Sequence, residues 1–516
     1  MIRRQGKVYL LGAGPGDPEL ITARALRRLR EADVVLYDAL VHQALLDEAR
    51  PDAERVFVGK RAGRPSERQA EIHARMIADA RAGKIVARLK GGDPYLFGRG
   101  SEEAHALAAA GIDLEVVPGV PSPVAAAAYA GITLTDRDLS SSVAYLTATE
   151  SFEKDRTSHD WAKLATATAT LVIFMGMRKL DGLMRLLMEH GRAPETPAAV
   201  VQWASLPKQR TIVGTVASIA RLAKEAGAGL PALTIVGEVV ARRDELRWYD
   251  TKPLFGARVL VTRPAHQSRE IATALRDEGA EPVCIPAIRV ADPDDPEPLA
   301  RAVREASAYR WVVFTSANGA DAFFGALART GRDARVLGGA RVCAIGPATS
   351  QSLLQYGIRA DVVPAEFRGE GAAEAIVQAD GALAGARVLL PRAAVARDAL
   401  PGRLRAAGAL VDVVAAYQTL GPTEEDAATL RELVHLRKVD VITFTSPSTV
   451  HRLLEALGDG ADSLSQGPFT IACIGPITEE AARARGLAVH ATAREYTGRG
   501  LIDALRAHAT NEEPSG

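Results

Sequence analysis

The sequence predicts an α/β protein made of two halves, each with two lobes. Three observations lead to this reading. Short apolar runs alternate with amphipathic stretches over the first 120 residues, and the alternation resumes after Pro118-Gly119. A Pro- and Gly-containing stretch, WYDTKPLFG from Trp248 to Gly256, separates this half from the rest. The remaining half contains an internal repeat. Strands that alternate with helices indicate parallel sheets with helical crossovers.

In chain order, Val8–Leu11 reads as a strand and Glu19–Arg30 as a helix, with Ile21, Ala25, Leu29 and Ala32 at helical spacing. Val34–Tyr37, Val56–Val58 and Ile85–Leu89 read as strands, with a helix over Glu67–Ala82 before the last. After the break come strands at Val143–Thr147, Leu171–Met175, Ala198–Gln202 and Ala232–Val236. These place a first domain at residues 1–250, with lobes of about 1–118 and 119–250, a linker at 251–255, a second domain at 256–509 and a frayed, disordered tail at 510–516.

The repeat is carried by three pairs of motifs. GARVLVTRP begins at Gly256 and GARVLLPRA at Gly385, 129 residues later. FTSAN at Phe314 returns as FTSPS at Phe444, and IGPAT at Ile345 as IGPIT at Ile474, at offsets of 130 and 129. Each motif ends a strand-like run. Two similar α/β lobes that arose by duplication are therefore expected, and the period is too long for a solenoid.

Composition excludes several function classes. Lys plus Arg and Asp plus Glu both number 63, so the basic excess of a nucleic-acid or membrane-surface protein is absent. The N-terminus runs straight into a strand without a signal-peptide pattern, and no apolar run of about 18 residues occurs. The three cysteines, Cys284, Cys343 and Cys473, are far apart, form no C-x-x-C pair and suit a reducing cytoplasm. Each is expected to be a small core residue. His73, His105, His190 and His266 have no metal-ligand spacing, so no metal is expected.

Chemistry concentrates at predicted strand ends. Gly12-Ala13-Gly14-Pro15-Gly16-Asp17-Pro18 follows the first strand, Asp38 the second, Gly59-Lys60 the third and Lys90-Gly91-Gly92-Asp93-Pro94 the fourth. Taken singly, these read as a turn, a helix cap and a solvated charge. Open parallel sheets bind ligands outside the carboxyl ends of their strands, so together they describe one site.

At these residues a resemblance becomes specific. VYLLGAGPGDPELIT, VVLYDALV, VGKRAG, ARLKGGDPYLFGRG, EVVPGVPSPVAAAAYAGITLT, LVIFMGM, AAVVQWASLPKQRTIVGTV and PALTIVGEVV are similar, in order over residues 7 to about 249, to the uroporphyrinogen-III C-methyltransferases. The resemblance implies a two-lobed tetrapyrrole methylase fold that uses S-adenosylmethionine and releases S-adenosylhomocysteine. It implies Asp38 as proton acceptor and Lys60 as proton donor. Cofactor contacts fall on Pro15, Gly91, Gly92, Asp93, Leu96, Pro121, Ser122, Met175 and Ala204. The substrate is rich in carboxylates, so Arg61, Arg64, Arg88 and Arg99 are candidate anchors, with ordinary surface arginines as the alternative. The sequence departs from the family in three places: Ala148-Thr149 replaces a usual Gly-His, Pro121 a common Thr, and Ala204 a common Gly.

Residues 256 to about 507 resemble uroporphyrinogen-III synthase through VLVTRP, VVFTSANGADAF, AIGPATSQSL, VVAAYQTL, ITFTSPSTV and CIGPITEEA. That family folds as two α/β lobes, the chain starting in one, crossing to the second and returning. The resemblance implies cyclisation of hydroxymethylbilane without a cofactor. Thr315, Ser316, Thr349, Ser446, Ser448 and Thr478 are expected to face a cleft between the lobes, with strand-end turns as the alternative. Tyr417 matches a tyrosine that assists hydroxyl departure, or else is a core residue. The partners implied are small tetrapyrroles, with no nucleic acid and no membrane, and a homodimer through the methylase half. Competing readings are a methylase of a later corrin precursor or of RNA, and a non-catalytic tetrapyrrole-binding second half. A full sirohaem enzyme would need a dinucleotide-binding module, whose fingerprint is absent.

Overall fold

A computed structural model describes residues 6–59, 69–148, 158–395 and 398–512. The chain divides into two compact units, residues 1–256 with 278–281, and residues 257–277 with 282–516.

The first unit holds two five-stranded sheets. One is formed by β1 (Lys7–Gly12), β2 (Val34–Tyr37), β3 (Glu54–Phe57), β4 (Ile85–Lys90) and β5 (Asp113–Val117), in the order β3-β2-β4-β1-β5. Every pairing in it is parallel. Parallel sheets are covered on both faces, so their strands are apolar throughout. In β1, Val8 and Leu10 enter one core and Tyr9 and Leu11 the other. The expected helix over Glu19–Arg30 is split. Asp17 caps a short 3₁₀ turn at Pro18–Leu20, and Thr22 caps the helix Ala23–Glu31 by accepting from Ala25 N at 3.2 Å.

The second sheet contains β6 (Val143–Thr147), β7 (Thr170–Phe174), β8 (Pro197–Gln202), β9 (Arg210–Thr215) and β10 (Ala232–Val236), in the order β6-β7-β10-β8-β9. It is mixed: β10 runs antiparallel to both neighbours, and β9 to β8. The sequence reading lacked β5 and β9, both edge strands with interrupted apolar character (DLEVV and RTIVGT). The stretch read as a connector packs on this unit. Tyr249 and Leu254 are buried, Trp248 Nε1 donates to Ala128 O at 2.9 Å, and Tyr249 stacks edge-on against Tyr129 and Phe255.

The second unit also holds two sheets. Its strands are β11 (Arg258–Val261), β12 (Glu281–Cys284), β13 (Arg289–Ala291), β14 (Trp311–Phe314), β15 (Arg341–Ala344), β16 (Arg387–Ala393), β17 (Leu410–Leu420), β18 (Val441–Phe444), β19 (Thr470–Cys473) and β20 (Ala491–Thr492). The sheet orders are β12-β11-β18-β19-β20 and β13-β17-β16-β14-β15. The chain thus begins in one lobe, builds the other from β13 to β17, and returns. The last helix, Gly498–Glu512, runs past residue 510 into the stretch expected to be frayed. Cys343 and Cys473 are buried, whereas Cys284 is exposed, because β12 is an edge strand; this corrects the expectation of three core cysteines. Among the described residues, no helix is long and apolar enough to cross a membrane.

Candidate active sites

The first unit gathers its candidates along the carboxyl edge of the parallel sheet. The loops after β1 and β4 are zipped together: Gly92 N donates to Gly14 O at 2.7 Å, and Ala13 N to Lys90 O at 2.7 Å. Asp93 ties in the loop after β5, its Oδ2 accepting from Gly119 N at 3.0 Å and its Oδ1 from Tyr95 N at 2.8 Å. The three backbones approach so closely that side chains are excluded. A Cβ on Gly119 would lie 2.3 Å from Gly92 O, and one on Gly12 would lie 2.5 Å from Gly119 Cα. Gly12 belongs to the glycine motif that the sequence reading placed at the site, whereas Gly119 was read only as part of a break between lobes.

The second lobe of the unit reaches the same edge. Asp17 N donates to Ser205 Oγ at 3.0 Å, and Tyr129 OH donates to Asp17 Oδ2 at 2.8 Å. A Cβ on Gly16 would meet Ala204 O at 2.9 Å, which places Ala204 against the Pro15 loop. Phe97 packs on Phe174 with ring centres 4.6 Å apart, bringing the Leu96 loop beside Met175. Pro121 and Ser122 begin the helix that follows Gly119. Phe97, Arg99, Met175, Trp203 and Ser205 all have positive φ, five of the six such non-glycine residues among those described. Strain of this kind persists where the surroundings over-determine the backbone, and it concentrates at ligand sites. Met175 is also 45% exposed, a large apolar side chain left open to solvent at this edge.

Asp38 ends β2, and its Oδ1 accepts from Arg88 Nη2 at 2.7 Å. The helix-cap reading is overturned, because the next helix, Gln43–Leu46, is capped by His42. The Arg88 side chain is 3% exposed, against 30% for Asp38. Arg88 is therefore a support for Asp38 and not a substrate anchor, a correction that follows from its burial. Behind it lies Glu103, fully buried, which accepts from Arg88 Nε at 3.1 Å and Gln69 Nε2 at 3.0 Å and pairs with Lys90 Nζ at 3.1 Å. Burial and the neighbouring Arg88 push the Lys90 pKa down. Glu103 has a sequence signal, since it shares the buried helical face of Gly100 and Leu107. Glu103→Gln leaves buried Lys90 without its counter-ion and Arg88 with Asp38 alone, so it is expected to destabilise this unit by about 3 kcal/mol, at the low end for a broken buried pair because Lys90 can release its proton. Urea unfolding checks this. Arg99 is exposed and held by Glu102 at 2.7 and 2.8 Å. Lys60, Arg61, Arg64 and Thr149 lie outside the described residues.

In the second unit the candidates occupy the carboxyl edges of both sheets. Thr315 and Ser316 follow β14, and Ser446 and Ser448 follow β18. Ser316 and Ser446 each cap the following helix, accepting from Gly319 N at 3.1 Å and Thr449 N at 3.3 Å. Ser316 Oγ also lies 3.1 Å from Tyr417 OH. The Tyr417 ring is in the core at 8% exposure, while its hydroxyl reaches this edge. Thr349 and Thr478 correct the expectation that all six hydroxyls face a cleft. They are 4% and 3% exposed, each buried in the first turn of a helix.

Comparison with known proteins agrees with this division. Residues 7–220 match the family model "Tetrapyrrole (Corrin/Porphyrin) Methylases", and residues 269–503 match "Uroporphyrinogen-III synthase HemD". The porphyrin biosynthesis protein HemD of Ruminiclostridium josui is 37% identical over 500 residues, covering 97% of both chains. An S-adenosyl-L-methionine-dependent uroporphyrinogen III methyltransferase of Methanosarcina barkeri is 48% identical over 241 residues, covering 47% of this chain and 94% of that one. The siroheme synthase of Thiobacillus denitrificans is 47% identical over 245 residues, and the chain spans about half its length (51%). A methylase model on the first unit, a synthase model on the second and a relative matching nearly end to end leave one conclusion: the chain belongs to the family of porphyrin-biosynthesis proteins that join a tetrapyrrole methylase to a uroporphyrinogen-III synthase.

Proposed function

We propose that the first unit methylates uroporphyrinogen III to precorrin-2, by way of precorrin-1, and that the second closes hydroxymethylbilane to uroporphyrinogen III, for sirohaem or cobalamin synthesis. The observation that carries the methylase reading is Asp38. It is a part-exposed carboxylate fixed by a buried guanidinium, on the same sheet edge as the glycine-lined junction of three loops. That junction fits S-adenosylmethionine, because backbone without side chains can approach a flat, polar ligand closely. Pro15, Gly91, Gly92, Leu96, Pro121, Ser122, Met175 and Ala204 would line the cofactor, with Asp93 holding the loops in register.

When bound, the cofactor supplies an electrophilic methyl group on a sulfonium. The protein's share is alignment and proton removal. Asp38 is positioned to take the proton that a methylated pyrrole carbon must lose. Its Oδ2 accepts no hydrogen bond among the described residues, while Oδ1 is held by Arg88. Lys60 is the proposed proton donor. In the second unit Tyr417 OH, with Ser316 beside it, assists departure of the substrate hydroxyl.

The test is incubation with hydroxymethylbilane, with and without S-adenosylmethionine, followed by mass analysis. Uroporphyrinogen III is expected without the cofactor and a dimethylated product with it. Release of the type I isomer alone, or of unmethylated product in both arms, would refute the corresponding half. Cytoplasmic residence and a homodimer through the methylase half complete the proposal. Light scattering of the full chain and of a chain lacking the synthase half tests the dimer.

A further inference from the structure

The internal duplication places two arginines at equivalent positions. Arg263 follows β11 and Arg392 lies near the end of β16, 129 residues later. Each strand lies beside the FTS strand of its own lobe, β11 beside β18 and β16 beside β14. The two arginines differ in their carboxylate partner. Arg392 Nη2 is 2.6 Å from Asp398 Oδ1, a carboxylate that is itself 86% exposed. At the same offset, the first repeat has Arg269 in place of an acid. Arg263 forms no ion pair among the described residues. Its Nη2 donates only to Gln267 Oε1, at 3.2 Å.

Arg263 also lies where the two lobes meet. Gln267 Nε2 donates to Asn318 Oδ1 at 2.7 Å, joining the helix after β11 to the helix after β14. The carboxyl edges of the two sheets therefore come together next to Arg263. Burial lowers its pKa against the opposing field of Glu270, yet a guanidinium stays charged at any physiological pH. A charge partly removed from water, with Glu270 acting only from a distance and no ion pair among the described residues, leaves an unmet electrostatic demand. Its duplicate shows what that position takes, namely a carboxylate.

We propose that Arg263 holds a side-chain carboxylate of the linear tetrapyrrole in the synthase half, doing with the substrate what Arg392 does with Asp398. This inference rests on the synthase reading above. A charge-assisted guanidinium–carboxylate hydrogen bond gives direction as well as attraction, which suits a reaction that must hold one pyrrole while turning another.

The test compares the full-length wild type with Arg263→Gln and Arg263→Lys. Initial rates with hydroxymethylbilane are measured across salt concentration, alongside anaerobic calorimetric titration of the uroporphyrinogen III product. Arg263→Gln is expected to raise KM roughly ten- to a hundredfold, with kcat changed far less. It should also flatten the salt dependence of KM, because the screened charge pair is gone. Arg263→Lys should fall between the two. A KM within about twofold of wild type, or a raised KM with unchanged salt dependence, overturns the proposal. If Arg263→Gln fails to fold, Arg263→Lys decides by the same two readouts. If the wild type makes no type III product, the synthase reading fails by itself, and product titration still judges the carboxylate contact.

Discussion

Asp38→Asn is expected to lower methylation turnover about 10²–10⁴-fold, the range of a lost general base. Asparagine keeps the shape of the side chain and an oxygen that can accept from Arg88, now 2.7 Å away. It lacks the negative charge and the basicity needed to take a proton. The structure sharpens this test by removing the competing explanation. Asp38 caps no helix, since His42 does so for Gln43–Leu46. A structural effect would come only through Arg88 and appear as a lower unfolding midpoint. S-adenosylmethionine affinity, measured by calorimetry, should hold, because the glycine junction and not Asp38 accommodates the cofactor. Near-normal turnover with a normal midpoint would remove Asp38 from the chemistry.

Gly119→Ala is expected to weaken S-adenosylmethionine binding roughly ten- to a hundredfold, the size of effect that overpacking a close junction produces. The added Cβ would lie 2.3 Å from Gly92 O and 2.8 Å from Gly12 Cα. Both neighbours are backbone, so no side chain can rotate away. The loops after β1, β4 and β5 must separate, breaking the hydrogen bond from Gly119 N to Asp93 Oδ2. Uroporphyrinogen-III formation by the same variant should be unchanged, since it resides in the other unit. Unchanged cofactor affinity would remove the junction from the site. Loss of both activities would mean global unfolding and would count against two separate units.

The parallel sheet of the first unit was legible because its strands are apolar on both sides and end in glycine or polar motifs. Every interior strand of that sheet announced itself in this way, whereas its edge strand β5, and β9 at the edge of the second sheet, did not. An edge strand pairs on one side only and tolerates charges and glycine; β5 and β9 carry them and were missed, whereas the edge strands β3 and β6 kept apolar runs and were read. The cofactor loops were legible for a related reason, since glycine motifs stand at the ends of several neighbouring strands at once, where single turns would not gather. Arg88 was legible as a charged residue near the site, but its role was not. Nothing local distinguishes an arginine facing substrate from one buried against Glu103, a residue 15 positions away on a helix.

The second unit shows the limit most clearly. The repeat was plain in the sequence, yet a repeat is not a lobe. β11 comes from the first copy but pairs with β18 of the second, while β16 of the second copy pairs with β14 of the first. Each lobe thus takes its leading strand from one copy and the FTS and IGP strands from the other. Equivalent strands present equivalent edges, so local sequence cannot choose between pairing within a copy and pairing across copies. Composition, strand periodicity and motif order by themselves determined the α/β class, the two halves, the duplication and the positions of Asp38 and the glycine loops. The tertiary structure alone decided which copy's strands share a sheet, that Thr349 and Thr478 are buried, and that Arg88 supports Asp38. Those outcomes depend on burial and on contacts between distant segments, where the cost of an unpaired charge or an unfilled core is settled by partners that no local window contains.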